Sequence, residues 1–284
     1  LKTDRISMDS SPSSTQLSQY LNDGYLIASD LIPVDDVLAV RNSLIKTFQD
    51  QTGEVTKGFS NQLLYSLMQK LFDHDIHQYK KVVGALWRKL DVNQLMHHPK
   101  VIQFLRKEFG WNDFFIPGGQ VVLIMSHQLK IPGGYFGLAP HQDFPSVQGS
   151  LDGVVVWIPL VEVDEHNFPL EIIPGSHKNG ILPFTQDASS SWVIRDDQYA
   201  ESDFIQVKAK PGDVVFMSIF TLHRSSLIGD DNSYRLALSS RIDNAGEPTF
   251  IERGYPSAYM RSVHRDPMQA GFPTIDQIQN VFKL

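Results

Sequence analysis

Apolar residues along this chain follow one period up to about residue 110 and another from residue 120 onward. In the first part Val34, Val37, Leu38, Leu44, Ile45 and Phe48 recur at helical spacing up to Gly53, which predicts an amphipathic helix whose stripe must find a sheet or another helix. A second helix is expected over about 60–72, from Leu63, Leu64, Leu67 and Leu71, and a third over about 98–109, opening at Pro99 and stopping at Gly110. Ahead of them Gly24-Tyr25-Leu26-Ile27 reads as a short strand. Residues 1–15, with Ser10, Ser11, Pro12, Ser13 and Ser14, offer too little apolar surface to repay ordering and are expected to form a mobile arm.

From Gln120 the texture becomes short β-rich runs between turn residues, at 120–126, 153–158, 170–173, 203–207, 213–218 and 235–242. Strands gathered after helices point to an α+β, mainly β architecture: an antiparallel double sheet of jelly-roll type, the double-stranded β-helix, braced by helices on one face. No stretch is rich enough in Pro, Gly or Ser to act as a linker, and no repeat of 20–50 residues is visible, so residues 16–284 are expected to form one domain with a helical first third.

Composition narrows the chemistry. A hydrophobic fraction of 42% with 20% charged residues belongs to a folded globular protein, and a formal charge of −7 argues against a general partnership with nucleic acid or an anionic membrane. No apolar run reaches the roughly 18 residues of a membrane span, and the start Leu1-Lys2-Thr3-Asp4-Arg5 leads into polar residues, which suggests a cytoplasmic protein. With no cysteine, any metal must be held by imidazole and carboxylate.

His141-Gln142-Asp143 and His223, 80 residues beyond Asp143, supply that set. In an extended segment residues i and i+2 share a face, so His141 and Asp143 can aim at one point while Gln142 faces away. Two imidazoles and a carboxylate on one face of an octahedral ion leave open positions, the arrangement of non-haem Fe(II) oxygenases. His223 arrives about ten residues after the turn Lys210-Pro211-Gly212-Asp213 and the apolar run Val214-Val215-Phe216-Met217. A second match, His264-Arg265-Asp266, has no histidine after it and reads as a surface loop. In the run 235–242, Arg235, Ala237 and Ser239 share one face, so small neighbours leave space before a guanidinium. A carboxylate received bidentately would satisfy it, and 2-oxoglutarate carries one at the end remote from iron.

These residues resemble the phytanoyl-CoA dioxygenase family. The shared elements are Asp23-Gly24-Tyr25, His141-Gln142-Asp143, the Trp-containing strand Val156-Trp157-Ile158-Pro159-Leu160, the turn Ile173-Pro174-Gly175-Ser176-His177-Lys178, His223 and Arg235, over about residues 20–245. The resemblance implies His141, Asp143 and His223 as iron ligands, with Arg235 and Ser225 on the distal carboxylate of 2-oxoglutarate, Trp157 lining the same cavity and Lys130 as a further polar contact. His177 is expected to shape the barrel and not to bind iron. Where family members often have Asn-Gly, this chain has Asn167-Phe168-Pro169.

The implied cofactors are Fe(II), 2-oxoglutarate and O2, and the implied reaction is hydroxylation of a small molecule with release of succinate and CO2. Halogenating relatives carry a small residue in place of Asp143. Arg195, Arg224, Arg241, Arg253, Arg261 and Arg265 crowd the second half of an acidic chain, which suggests that one or two receive an anionic group on the primary substrate. The alternatives are a non-redox cupin-like isomerase and a sugar-binding sandwich, neither of which needs Arg235.

Overall fold

The computed structural model describes residues 15–134, 136–186 and 192–255. Six helices come first: α1 (Thr15–Asp23), then, after strand β1 (Tyr25–Ala28), α2 (Val34–Thr52), α3 (Asn61–His74), α4 (Ile76–Ala85), α5 (Leu90–Met96) and α6 (Pro99–Phe109). The remainder is β2 (Phe114–Phe115), β3 (Val121–Met125), α7 (Phe144–Val147), β4 (Val154–Pro159), β5 (Leu170–Ile172), β6 (Phe184–Gln186), β7 (Trp192–Ile194), β8 (Ile205–Val207), β9 (Val214–Ser218), β10 (His223–Ser225), β11 (Arg235–Asn244) and α8 (Pro248–Glu252). Of the expected N-terminal arm, Thr15 instead opens α1, and residues 1–14 lie outside the described part.

The helix ends follow local chemistry. Gly53 and Gly110 close α2 and α6 in the left-handed region, at φ 68° and 70°, where a side chain would be strained. Ser60 caps α3 by accepting the Leu63 amide at 3.1 Å. Asp75 ends α3 with its own N–H on the Leu71 carbonyl and opens α4 by accepting from the amides of His77 and Gln78. One residue between two helices leaves no Gly or Pro gap, which is why the periodicity shows one helix there and the structure has two.

The larger sheet runs β1-β9-β4-β11-β2, with β3 also on β11, and the smaller runs β10-β5-β8. All described pairings between these strands are antiparallel. His141 extends the smaller sheet as a bridge beside His223 and touches Val193 of the β6-β7 hairpin. This is the expected jelly roll with helices on the outer face of its larger sheet.

The period of two sorts each long strand between two cores. Val154, Val156 and Ile158 of β4, Phe216 of β9, and Leu236, Leu238 and Ile242 of β11 meet the helices in one cluster. Val155, Trp157, Val215, Met217 and Ala237 face inward and meet Leu170, Ile172 and Val207 of the smaller sheet. Each fully buried Leu, Ile or Phe contributes roughly 1.5–3 kcal/mol, so β4 and β11 are fixed from both sides and side chains between the sheets cannot drift far. No helix among the described residues is long and apolar enough to cross a membrane.

Candidate metal and co-substrate site

His141 and His223 are held by each other's backbone. The amide of His141 donates to the His223 carbonyl at 3.0 Å and the amide of His223 returns the bond at 3.1 Å, which sets the two rings 4.2 Å apart between centroids. Each ring is turned by its Nδ1, His141 toward the carbonyl of Ala139 at 2.8 Å and His223 toward that of Thr221 at 2.9 Å. With Nδ1 as the donor, both Nε2 atoms are left as lone-pair donors facing inward.

Asp143 reaches the same point by a different route from the one its spacing suggests. The extended run stops at His141, and Asp143 lies in helical backbone at the start of α7, with φ −74° and ψ −28°. The turn is held through Gln142, which is buried, donates to the carbonyls of Gly180 and Phe220 at 2.8 and 2.6 Å, and accepts from the Leu182 amide at 2.9 Å. Gln142 does face away from the metal point, as the alternation predicts, but into the protein, where it ties the first ligand pair to the segment that delivers His223. Its role was not readable from the sequence, because its partners lie 38 to 78 residues away.

The outcome is a set of one ligand atom from each of His141, Asp143 and His223, all within 4.8 Å of one another, the one such group among the described residues. Burial holds the imidazole of His141 far below its ordinary value, to about 3, and lowers that of His223, so both are neutral at physiological pH, the form in which an imidazole can bind a metal. Asp143 is buried as well, and burial alone would raise it. Arg241 beside it, together with the two imidazoles, outweighs that cost and keeps the carboxylate ionised. The donor set fits a divalent cation on its own chemistry: the Nε2 of His141 is buried without a hydrogen-bond partner and stands 3.8 Å from Oδ1 of Asp143.

β11 supplies the wall opposite. Arg235, Ala237, Ser239 and Arg241 all point inward, and a cavity of about 40 Å³ lies between Arg235, Ser239 and Arg241, Trp157 of β4, Leu170, Ser225 and the two histidines. Arg235 is 1% exposed and donates to the carbonyl of Phe168 at 2.7 Å, to Sδ of Met125 at 2.8 Å and to Oγ of Ser225 at 3.1 Å. Phe168 adopts φ 61°, unusual for a bulky residue, at the point where the chain departs from the Asn-Gly of related sequences. Trp157 lines the cavity with its indole N–H buried and unpartnered.

Lys130 does not join them. The chain leaves β3 at Met125, passes through a 3-10 turn over His127–Leu129, and sets Lys130 on the surface with its Nζ 4.8 Å from the Phe136 ring centroid. The expectation of substrate-binding arginines also changes. Arg224 pairs with Glu171 and Glu201, Arg195 with Asp197, Arg253 with the carbonyls of Gln148, Gly149 and Thr249, and Arg241 with Asp143. The protein's own acceptors therefore occupy the described members of that group, while Arg261, His264 and Arg265 lie outside the described residues.

His177 is structural, as expected. Its Nε2 stands 3.2 Å from the Leu21 carbonyl. Ser176 in the same turn donates to the Ile173 carbonyl at 2.6 Å and accepts from the Leu222 amide at 2.9 Å, which fixes the residue just before His223.

The family model for phytanoyl-CoA dioxygenase (PhyH) matches residues 20–228, a span that holds His141, Asp143 and His223 and ends before Arg235. A phytanoyl-CoA dioxygenase of Arabidopsis thaliana is 22% identical over 230 residues, 74% of this chain and 81% of the relative. Phytanoyl-CoA dioxygenase domain-containing protein 1 of Danio rerio is 26% identical over 168 residues, 56% of this chain and 52% of the relative. Among solved structures, the epimerase SnoN in complex with Fe3+, alpha ketoglutarate and nogalamycin RO superposes with a TM-score of 0.54 at 17% identity, covering 89% of this chain and 92% of its own. EctD from S. alaskensis in its apoform gives 0.54 at 17% identity, covering 84% and 80%. At such identities the likeness is one of fold.

Proposed function

Since the chain belongs to the phytanoyl-CoA dioxygenase family, we propose that it works as an Fe(II)- and 2-oxoglutarate-dependent oxygenase that hydroxylates a small-molecule substrate. The observation that carries this reading is the convergence of His141, Asp143 and His223 within 4.8 Å, beside a cavity that both histidines line and whose other side holds a buried arginine.

His141, Asp143 and His223 would hold the iron. Iron with 2-oxoglutarate and O2 supplies the oxidising chemistry and releases succinate and CO2. The protein's part is to bind, orient and keep water out. Arg235 would receive the distal carboxylate of the keto acid, with Ser225 beside it and the Trp157 indole N–H as a further donor in the same cavity. In this structure the guanidinium spends its donors on Phe168, Met125 and Ser225, so an arriving diacid would take over bonds already aimed at its position.

Asp143 supports hydroxylation over halogenation, because a carboxylate fills the position a halide would need. The role of Arg235 favours this reading over a non-redox cupin, whose chemistry calls for no inward guanidinium at that depth. With Fe(II), 2-oxoglutarate and air, the protein is expected to release succinate, and Asp143→Ala to lose this by a factor of about 100 or more. Failure of the parent protein to bind or consume 2-oxoglutarate would contradict the reading, and a product that has gained no oxygen would overturn hydroxylation while leaving the cofactors in place.

A further inference from the structure

Asp143 has a partner that the chemistry above does not use. Arg241 lies six residues beyond Arg235 on the same inward face of β11, and its guanidinium meets the carboxylate in a fork. Nε donates to Oδ2 at 3.1 Å, and Nη2 stands 2.9 Å from Oδ1 and 3.0 Å from Oδ2. Nη1 donates to the carbonyl of Gly119 at 2.6 Å. That carbonyl is presented by two successive glycines at positive φ, Gly118 at 110° and Gly119 at 75°, a backbone that a larger residue would not adopt cheaply. The guanidinium is thus fixed at both ends.

The two oxygens of Asp143 are not equivalent under this clamp. Oδ2 carries the Nε contact and shares Nη2 with Oδ1, whereas Oδ1 has that one guanidinium contact and is the atom that faces Nε2 of His141. A carboxylate has lone pairs for either one or both oxygens on a metal, and a second bound oxygen would use a position that the keto acid needs. We infer that Arg241 is a positioning residue that turns a single oxygen of Asp143 toward the metal and so keeps room for the co-substrate to chelate. The inference rests on the metal reading of the triad.

Arg241 also places a positive charge beside the point where a dication binds. Its two effects therefore have opposite signs: it competes with the bare metal for Asp143, and it favours the doubly negative keto acid on the loaded protein. A residue that served only to hold the fold would move both affinities the same way.

The test is calorimetric titration of the full chain with Co(II), and then of the Co(II)-loaded protein with 2-oxoglutarate, for the parent, Arg241→Met and Arg241→Lys. Arg241→Met is expected to bind Co(II) as tightly as the parent or tighter, and to bind 2-oxoglutarate about tenfold or more weakly, the scale of one charge-assisted hydrogen bond. Arg241→Lys keeps the charge without the fork and is expected to fall between the two. Loss of both affinities together in Arg241→Met, no change in either, or full parity of Arg241→Lys with the parent overturns the inference. If Arg241→Met does not fold, Arg241→Lys decides by its keto-acid affinity alone. Should the parent fail to bind Co(II), the triad's metal reading falls first and takes this inference with it. Should the parent bind both and the variants match it, the inference alone falls.

Discussion

Arg235 is buried at 1% exposure among acceptors it can keep or exchange, and that makes its replacement informative. Arg235→Gln is expected to weaken 2-oxoglutarate binding by about 1.5–3 kcal/mol, tenfold or more, while Co(II) affinity stays at the parent's value. Equal loss of both would place Arg235 in the fold and not in co-substrate binding. This residue was legible in the sequence because a two-residue period separates Arg235, Ala237 and Ser239 from Leu236 and Leu238, and β11 obeys it. The same period puts Arg241 inward, yet its partner is 98 residues away at the start of α7, a matter of how strand and helix meet that no local pattern carries. Lys130 misled because nothing in its surrounding residues marks the 3-10 turn that takes the chain out of β3.

Titration follows from the same buried groups. His141 and His223 have folded values below the ordinary 6.5, so as pH drops through 6.5 the unfolded chain takes up protons that the folded one refuses. Their contribution is full above 6.5 and is lost as pH falls toward the folded value, about 3 for His141. Asp243 acts oppositely: burial raises it from 3.8 to about 6, so its penalty is present above 6 and fades as pH falls toward 3.8. Two histidines outweigh one carboxyl, so the melting temperature of the metal-free protein is expected to fall from pH 7 to pH 5. Asp243→Asn keeps an acceptor for the Ser150 amide, bound at 3.0 Å, and is expected to stabilise at pH 7 by on the order of 1 kcal/mol and to make the fall toward pH 5 steeper. A variant whose acid-side slope matches the parent's would show that Asp243 ionises normally.

At the scale of elements, the turn Pro174-Gly175-Ser176-His177 explains how a strand of three residues, β10, can present His223 reliably. Ser176 joins the Ile173 carbonyl to the Leu222 amide, and His177 reaches the Leu21 carbonyl at the end of α1. Gly24 closes the same corner, since a Cβ there would lie 2.4 Å from Nδ1 of His177 and 2.7 Å from Oγ1 of Thr221. Ser176→Ala leaves a buried amide without its acceptor and is expected to cost about 1–3 kcal/mol of stability and to weaken Co(II) binding. Denaturant melts of the metal-free variant, set beside its Co(II) titration, check both. The turn was visible as a motif, whereas its bonds to α1 and β10 were not, because they cross 156 and 46 residues of chain. The helices α4 and α5 were hidden for a different reason: α4 begins on the residue that caps α3, and α5 is only seven residues long, too short for its period to stand out.

At the scale of the whole molecule, the helical first third and the strand-rich remainder do separate tasks. The helices cover the outer face of the larger sheet and supply much of the main core, which leaves the inner face free to carry charge. Between the sheets, Arg235, Arg241, Asp143 and two histidines sit beside Leu170, Met217 and Val155, an arrangement only a well-covered sheet can support. The change of hydrophobic period near residue 120 therefore marks a division of labour within one fold.

The most direct test is an oxygen-free titration of the Fe(II)-loaded protein with 2-oxoglutarate, followed by the charge-transfer absorption that a chelated keto acid gives on iron. One equivalent of keto acid should develop the absorption in the parent, and His223→Ala should show none. Keto-acid binding without that absorption in the parent, or absorption undiminished in His223→Ala, would contradict a centre built from His141, Asp143 and His223.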